Sequence, residues 1–291
     1  MHQVASVKFV EICYAPITEL EGKEQLLQGQ AAVGFKIPKG MIQVEKKVFI
    51  LHACNLAIMN SIITGASRGL GKAIAEQFAA AGYDLVLSSR DPVALDGAVR
   101  ELGERYPAAT IRSRAADLSD KEQAQELGRW VLDTGVPVDV LVNNAGQFIY
   151  GSLYEEAEGK LEQLIAVNLY GAYHLTRALL PVMMSRKKGH IFNICSIASL
   201  KAYHHGGAYG ISKYALAGFS ANLREEMKEH GIKVTAVYPG AAYTDSWTGS
   251  GVDPHRIMEA GDIARMVVAA AGLSPQATVE EIVLRPQLGD L

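Results

Sequence analysis

Thr64-Gly65-Ala66-Ser67-Arg68-Gly69-Leu70-Gly71 stands between the apolar run 59–64 and an alanine-rich stretch with helical character. Glycines at such a junction allow a tight turn and let backbone N–H groups approach a pyrophosphate at the positive end of a helix. The spacing, G-x-x-x-G-x-G, departs from the G-x-G-x-x-G fingerprint, so its meaning depends on the pattern of the chain around it.

That pattern is regular from Met59 onward. Short apolar runs rich in β-formers at 59–64, 84–89, 109–116, 138–142, 190–195, 232–238 and 278–284 alternate with helical patterns at about 70–82, 92–105, 119–134, 156–187, 207–230 and 259–272. Alternation of this kind predicts βαβ units: a Rossmann-type doubly wound parallel sheet of about seven strands in a three-layer αβα fold. Asp91 ahead of Pro92 reads as a helix cap, and Gly82 and Gly231 read as helix terminators. Residues 1–58 show no sustained period and are expected to form a non-essential extension, leaving 59–291 as a single domain.

The second strand ends in Val86-Leu87-Ser88-Ser89-Arg90, about 20 residues after the glycine turn, where a dinucleotide fold separates NAD from NADP. An acid there bonds a free ribose 2′-OH, whereas an arginine accommodates a 2′-phosphate. Arg90 occupies the position and Arg68 supplies a second cation from within the turn. Asp91 beside Arg90 weighs against this reading.

A third constellation is Ser196, Tyr209 and Lys213. Tyr209 and Lys213 are four apart on a predicted helix and share one face, which sets an ammonium beside a phenol. A nearby positive charge favours the phenolate, so the tyrosine pKa is expected to move down toward working pH. Ser196 can hydrogen-bond the same substrate oxygen, and Asn168, within a long predicted helix, can hold a water for proton exchange.

Together these residues resemble the short-chain dehydrogenase/reductase family. The matches are the run 64–71, Asp117-Leu118, Asn143-Asn144-Ala145-Gly146, Asn168, Ser196, Tyr209-Gly210-Ile211-Ser212-Lys213, and Pro239-Gly240 with Thr244, in family order and spacing. The resemblance implies Tyr209 as proton donor, Ser196 as carbonyl orienter, Lys213 as ribose ligand and pKa modulator, and Asn168 as part of a proton relay. It also implies an NADP(H) site using Gly65, Ser67, Arg68, Gly69, Leu70, Gly71 and Arg90. In that site Asp117 and Leu118 lie by the adenine, Asn144, Ala145 and Gly146 by the ribose, and Pro239, Gly240 and Thr244 by the nicotinamide carboxamide. The segments around His190, Tyr203 to His205, Tyr243 to Trp247 and Val279 to Pro286 look like bacterial sepiapterin-reductase-like members, while others look like 3-oxoacyl-carrier-protein reductases. The expected activity is an NADPH-dependent carbonyl reductase acting on a small substrate, with a 3-oxoacyl-carrier-protein reductase as the alternative. A non-catalytic NADP-binding sensor or scaffold is the alternative of another class.

Composition is that of an ordinary globular protein. Of 291 residues, 49% are hydrophobic and 20% charged, and 28 basic against 31 acidic side chains leave a net charge of −3. Attraction to nucleic acid or anionic membrane is therefore not expected. Cys13, Cys54 and Cys195 are too scattered for a disulfide framework or a metal site, which favours a reducing cytoplasm. The longest apolar stretch, 48–63, falls short of the roughly 20 residues of a membrane span. The helices around 164–184 and 214–227 are apolar over more than one face, so a homodimer or homotetramer built on them is expected.

Overall fold

Five residues buried along their whole length, Asn60–Thr64, form strand β1. In the computed structural model, which describes residues 59–244 and 251–290, the chain continues through α1 (Gly69–Ala80), β2 (Asp84–Ser89), α2 (Pro92–Arg105), β3 (Ile111–Ala115), α3 (Lys121–Asp133) and β4 (Val140–Asn143). A helical arm follows in three parts, α4 (Lys160–Ile165), a π-turn (Ala166–Tyr170) and α5 (Gly171–Arg186). Next come β5 (Gly189–Ile194), α6 (Gly207–Met227), β6 (Ile232–Pro239), the short pair β7 (Ala242–Tyr243) and β8 (Met258–Glu259), α7 (Ala260–Ala271) and β9 (Glu281–Leu284). The extension 1–58 and the segment Asp245 to Trp247 lie outside the described residues.

Seven strands pair in parallel in the order β3-β2-β1-β4-β5-β6-β9. This is the expected Rossmann-type sheet. Successive residues of β1 serve opposite faces. Ile63 packs with Phe78, Leu95 and Val267 under α1, α2 and α7, while Ile62 packs with Leu127, Leu179 and Leu223 under α3, α5 and α6. Burial on both faces is why strands such as β2 and β4 carry continuous apolar runs, at 85–87 and 140–142. The order reverses direction between β1 and β4, and the carboxyl ends of those strands open the crevice where ligands bind in such sheets.

Boundaries differ from the sequence reading where local geometry intervenes. The helix expected over 156–187 begins only at Lys160, after Gly159 at φ +81, and is interrupted by the π-turn. Asp91 caps α2 as expected, its carboxylate accepting from Val93 N at 2.9 Å and Ala94 N at 3.2 Å. No helix among the described residues is long and apolar enough to cross a membrane.

Candidate active site

The glycine turn is held from behind by the loop after β4. Thr64 Oγ1 accepts from the backbone N–H groups of Asn144 and Ala145, both at 3.0 Å. In return Asn144 Nδ2 donates to the carbonyls of Thr64 and Gly65 at 2.9 and 3.2 Å. This close approach dictates the residue types. A Cβ on Gly65, whose φ is +64, would lie 2.9 Å from Ala145 Cα, and one on Gly71 would lie 2.2 Å from Gly65 O. The side chain of Asn144 is thus spent on shaping the turn.

A cleft of about 360 Å³ lies in front of this turn. Of the residues expected at a nucleotide, Gly65, the run Ser67–Gly71, Arg90, Asp117 with Leu118, Asn144–Gly146 and Thr244 line it. Pro239 and Gly240 do not. They sit at the end of β6, where Gly240 N donates to Leu284 O at 2.8 Å and the glycine packs on Pro286. Lining residues that sequence reasoning missed include Ser88, Ser119, Gln147 and Gln163. Ser88, Ser119 and Gln147 lie in or beside the segments quoted above, whereas Gln163, on α4, carries no local signal and reaches the cleft only through the fold.

The chemistry of the cleft suits an anionic dinucleotide. Helix α1 starts at the turn with no side-chain cap and no acid in its first turn, so its positive end faces the cleft uncompensated. Ser88 Oγ is buried there without a hydrogen-bond partner among the described residues. Arg68 and Arg90 are exposed at the rim and form no ion pair among the described residues. Asp91, the residue that weighed against Arg90 as a phosphate ligand, is engaged in capping α2.

Gly146 joins this cleft to the second cluster. It lines the cleft, and a Cβ built on it would lie 3.0 Å from Asn168 Oδ1 and 3.6 Å from Lys213 Nζ. Asn168 sits in the π-turn, buried. Its Oδ1 accepts from Gln147 N at 2.7 Å, and its Nδ2 donates to Gln147 O at 3.0 Å and to Ser212 Oγ at 2.8 Å. Ser212 then donates to Tyr209 O at 2.7 Å. Lys213 is buried and donates from Nζ to Ile194 O at 2.7 Å, beside Ser196. Structure therefore brings together all four residues expected at the reacting end.

The electrostatics differ from expectation in one respect. Burial raises the Tyr209 pKa above its ordinary value, and a hydrogen bond with Ser196 opposes this only in part. The Lys213 ammonium lies 6.0 Å from the Tyr209 ring centroid and is directed at a carbonyl, so desolvation of the phenol outweighs it. Burial also brings Lys213 down to about 8 and pushes the neighbouring Cys195 thiol up to about 11. The Tyr209 phenol is therefore protonated at neutral pH. The Phe148 ring, 58% exposed, stands edge-on against it with centroids 4.8 Å apart.

A doubly wound sheet with a phosphate-shaped turn at its switch point, joined to a serine, tyrosine and lysine cluster, defines a nucleotide-dependent oxidoreductase class. The chain belongs to the short-chain dehydrogenase family, whose family model, described as short chain dehydrogenase, matches residues 60–253. It is 36% identical over 239 residues to a sepiapterin reductase from Chlorobaculum tepidum, covering 79% of this chain and 97% of that protein. Among solved structures it is similar to a metagenomic short-chain oxidoreductase in complex with NADP, at 34% identity and a TM-score of 0.69 over 79% of this chain and 97% of that one. An alcohol dehydrogenase from the archaeon Thermococcus sibiricus, complexed with 5-hydroxy-NADP, is similar at 29% identity and a TM-score of 0.73, with the same coverage.

Proposed function

We propose that this chain is an NADPH-dependent carbonyl reductase acting on a small substrate. The observation that carries the reading is the position of Gly146, which touches the nucleotide-shaped cleft on one side and Asn168 and Lys213 on the other. A dinucleotide held by the residues that line the cleft would have its reactive end beside Ser196 and Tyr209.

In this reading the backbone turn 65–71 holds the diphosphate, and Arg68 and Arg90 hold the 2′-phosphate. The bound nicotinamide supplies hydride to the carbonyl carbon. Ser196 orients the carbonyl oxygen and Tyr209 gives that oxygen its proton, a role its raised pKa suits because the phenol is protonated when substrate arrives. Lys213 would position the ribose and, through Ile194 O, is itself fixed to the end of β5, two residues before Ser196. Fixed geometry and a proton at the right atom are what the protein contributes.

The test is NADPH oxidation by the full chain against diketones, quinones, pterins and acetoacetyl thioesters, repeated with Tyr209→Phe. Turnover of at least one class is expected, with a loss of about 10² to 10⁴ in the variant and unchanged NADPH binding. Full turnover by Tyr209→Phe removes the assignment. Tight NADPH binding with no oxidation by any carbonyl establishes a non-catalytic nucleotide binder instead.

A further inference from the structure

Helix α6 carries Tyr209 in its first turn, yet its own N-terminus has nothing to cap it. The N-cap is Gly206, which has no side chain, and the first turn holds no acid. The missing cap arrives from elsewhere in the chain. Glu156, in the loop between β4 and α4, places both carboxylate oxygens within reach of Ala208 N, at 3.0 and 3.1 Å. Its Oε1 lies against Gly207, where an added Cβ would be 2.1 Å from that oxygen and 2.6 Å from Gly151 O, and where φ is +38.

The same loop touches the entry to α6 at other points. Gly151 N donates to His205 O at 3.1 Å, Ser152 Oγ and His205 Nδ1 are 2.6 Å apart, and the Tyr150 and His205 rings stand 4.8 Å apart. At its start the loop is tied to Asn168 through Gln147, and Phe148 rests on Tyr209 itself. We infer that Glu156 is a positioning residue for Tyr209, capping α6 in trans to its own sequence and so fixing the phenol against the loop 147–156. A carboxylate at a helix N-terminus satisfies an orphan N–H and compensates the positive end of the helix. The chain thereby makes the placement of its proton donor depend on the folded state of the loop.

This inference rests on the carbonyl-reductase reading for its kinetic arm, so the experiment has a second arm that needs no substrate. Glu156→Ala and Glu156→Gln are made in the full chain, and kcat, KM, NADPH Kd and amide exchange of the peptide spanning 206–210 are measured. Glu156→Ala is expected to lower kcat at least about tenfold and speed that exchange about tenfold, with KM and NADPH Kd within about twofold of the parent. Glu156→Gln, whose amide oxygen still accepts from Ala208 N, is expected to recover kcat to within about threefold. A Glu156→Ala kcat within twofold of the parent overturns the proposal, as does a loss confined to KM or NADPH affinity, or an equal loss in both variants. Should the parent turn over no carbonyl, the reductase reading fails by itself. Exchange then decides, and equal protection at 206–210 in parent and Glu156→Ala overturns the cap.

Discussion

Asn168 Nδ2 donates to Ser212 Oγ at 2.8 Å across the space between the π-turn and α6, and the serine hydroxyl donates in turn to the carbonyl oxygen of Tyr209 at 2.7 Å. Both N–H groups of the asparagine amide are thereby donated to protein acceptors, Ser212 Oγ and Gln147 O, and its oxygen accepts from Gln147 N. Asn168 holds the π-turn and α6 in register as well as facing Gly146. Replacing it with alanine leaves the part-buried Gln147 N–H without its partner, a loss that costs about 1–3 kcal/mol. Asn168→Ala is expected to melt several degrees below the parent and to lose at least about tenfold in turnover, read by thermal denaturation and NADPH oxidation. A variant with the parent's melting temperature and rate removes both roles.

Arg90 and Arg68 share the rim of the cleft, and Asp91 does not neutralise either, because it caps α2. Charge-assisted bonds to a phosphate contribute roughly 1.5–3 kcal/mol each, enough for at least tenfold discrimination. The parent is expected to prefer NADPH over NADH by that factor or more in kcat/KM, and Arg90→Asp to weaken or invert the preference. Equal kcat/KM for the two cofactors in the parent contradicts it.

The sheet was legible in the sequence because strands buried on both faces leave apolar runs, as at 85–87 and 140–142, and helices between them keep their period. The break in the helical arm was not. A π-turn adds one residue to one turn around Asn168, a change that a 3.6-residue pattern averages away. For the site, the four-residue spacing of Tyr209 and Lys213 gives their common face but not the depth to which both are buried, and depth reverses the expected direction of the tyrosine pKa. Glu156 shows the same limit. A cap 52 residues from the amide it serves leaves no signal near the helix.

His190 lies buried in β5 with Nε2 2.7 Å from Thr235 Oγ1 and Nδ1 without a partner among the described residues. Burial carries its pKa from 6.5 down to about 3. Between those values the unfolded chain binds a proton that the folded chain refuses, so this contribution to stability is complete above pH 6.5 and is lost as pH falls toward 3. The slope is about 1.4 kcal/mol per pH unit, or about 2 kcal/mol between neutrality and pH 5. His190→Gln is expected to be less stable than the parent at pH 7.5 but to lose about that much less on acidification, read from denaturant midpoints at the two pH values. Identical acid sensitivity in both proteins places the titration elsewhere.

Strand β1 is central in the sheet, paired on one side with β2 and on the other with β4, and the Met59 carbonyl already accepts from Asp84 N at 3.0 Å. Every residue assigned above to the cleft and the catalytic cluster follows that point. A protein begun at Met59 is therefore expected to fold, bind NADPH and reduce the same substrates at rates within about twofold of the full chain, since a 230-residue stretch can bury a complete core. Loss of solubility or activity on that truncation would make residues 1–58 part of the working fold.

Ile211 and Tyr214 lie three apart on α6, 42% and 44% exposed, and Tyr170 in the adjoining π-turn is 51% exposed. Residues at that spacing share a helix face. Apolar and aromatic side chains gathered on neighbouring helical elements behind the catalytic cluster form a surface that a second copy of the chain can cover isologously, each α6 and π-turn meeting the same elements of its partner. A homodimer or homotetramer is expected in sedimentation at micromolar concentration. Ile211→Glu with Tyr214→Glu sets like charges opposite one another across such a two-fold contact, and desolvating them is unfavourable, so the double variant is expected to sediment as a monomer. Because Ile211 and Tyr214 are exposed while Lys213 on the same helix is buried, and neither lines the cleft, the dissociated protein is expected to bind NADPH with the parent's affinity. A parent that sediments only as a monomer, or a double variant with unchanged assembly, removes this face as the interface.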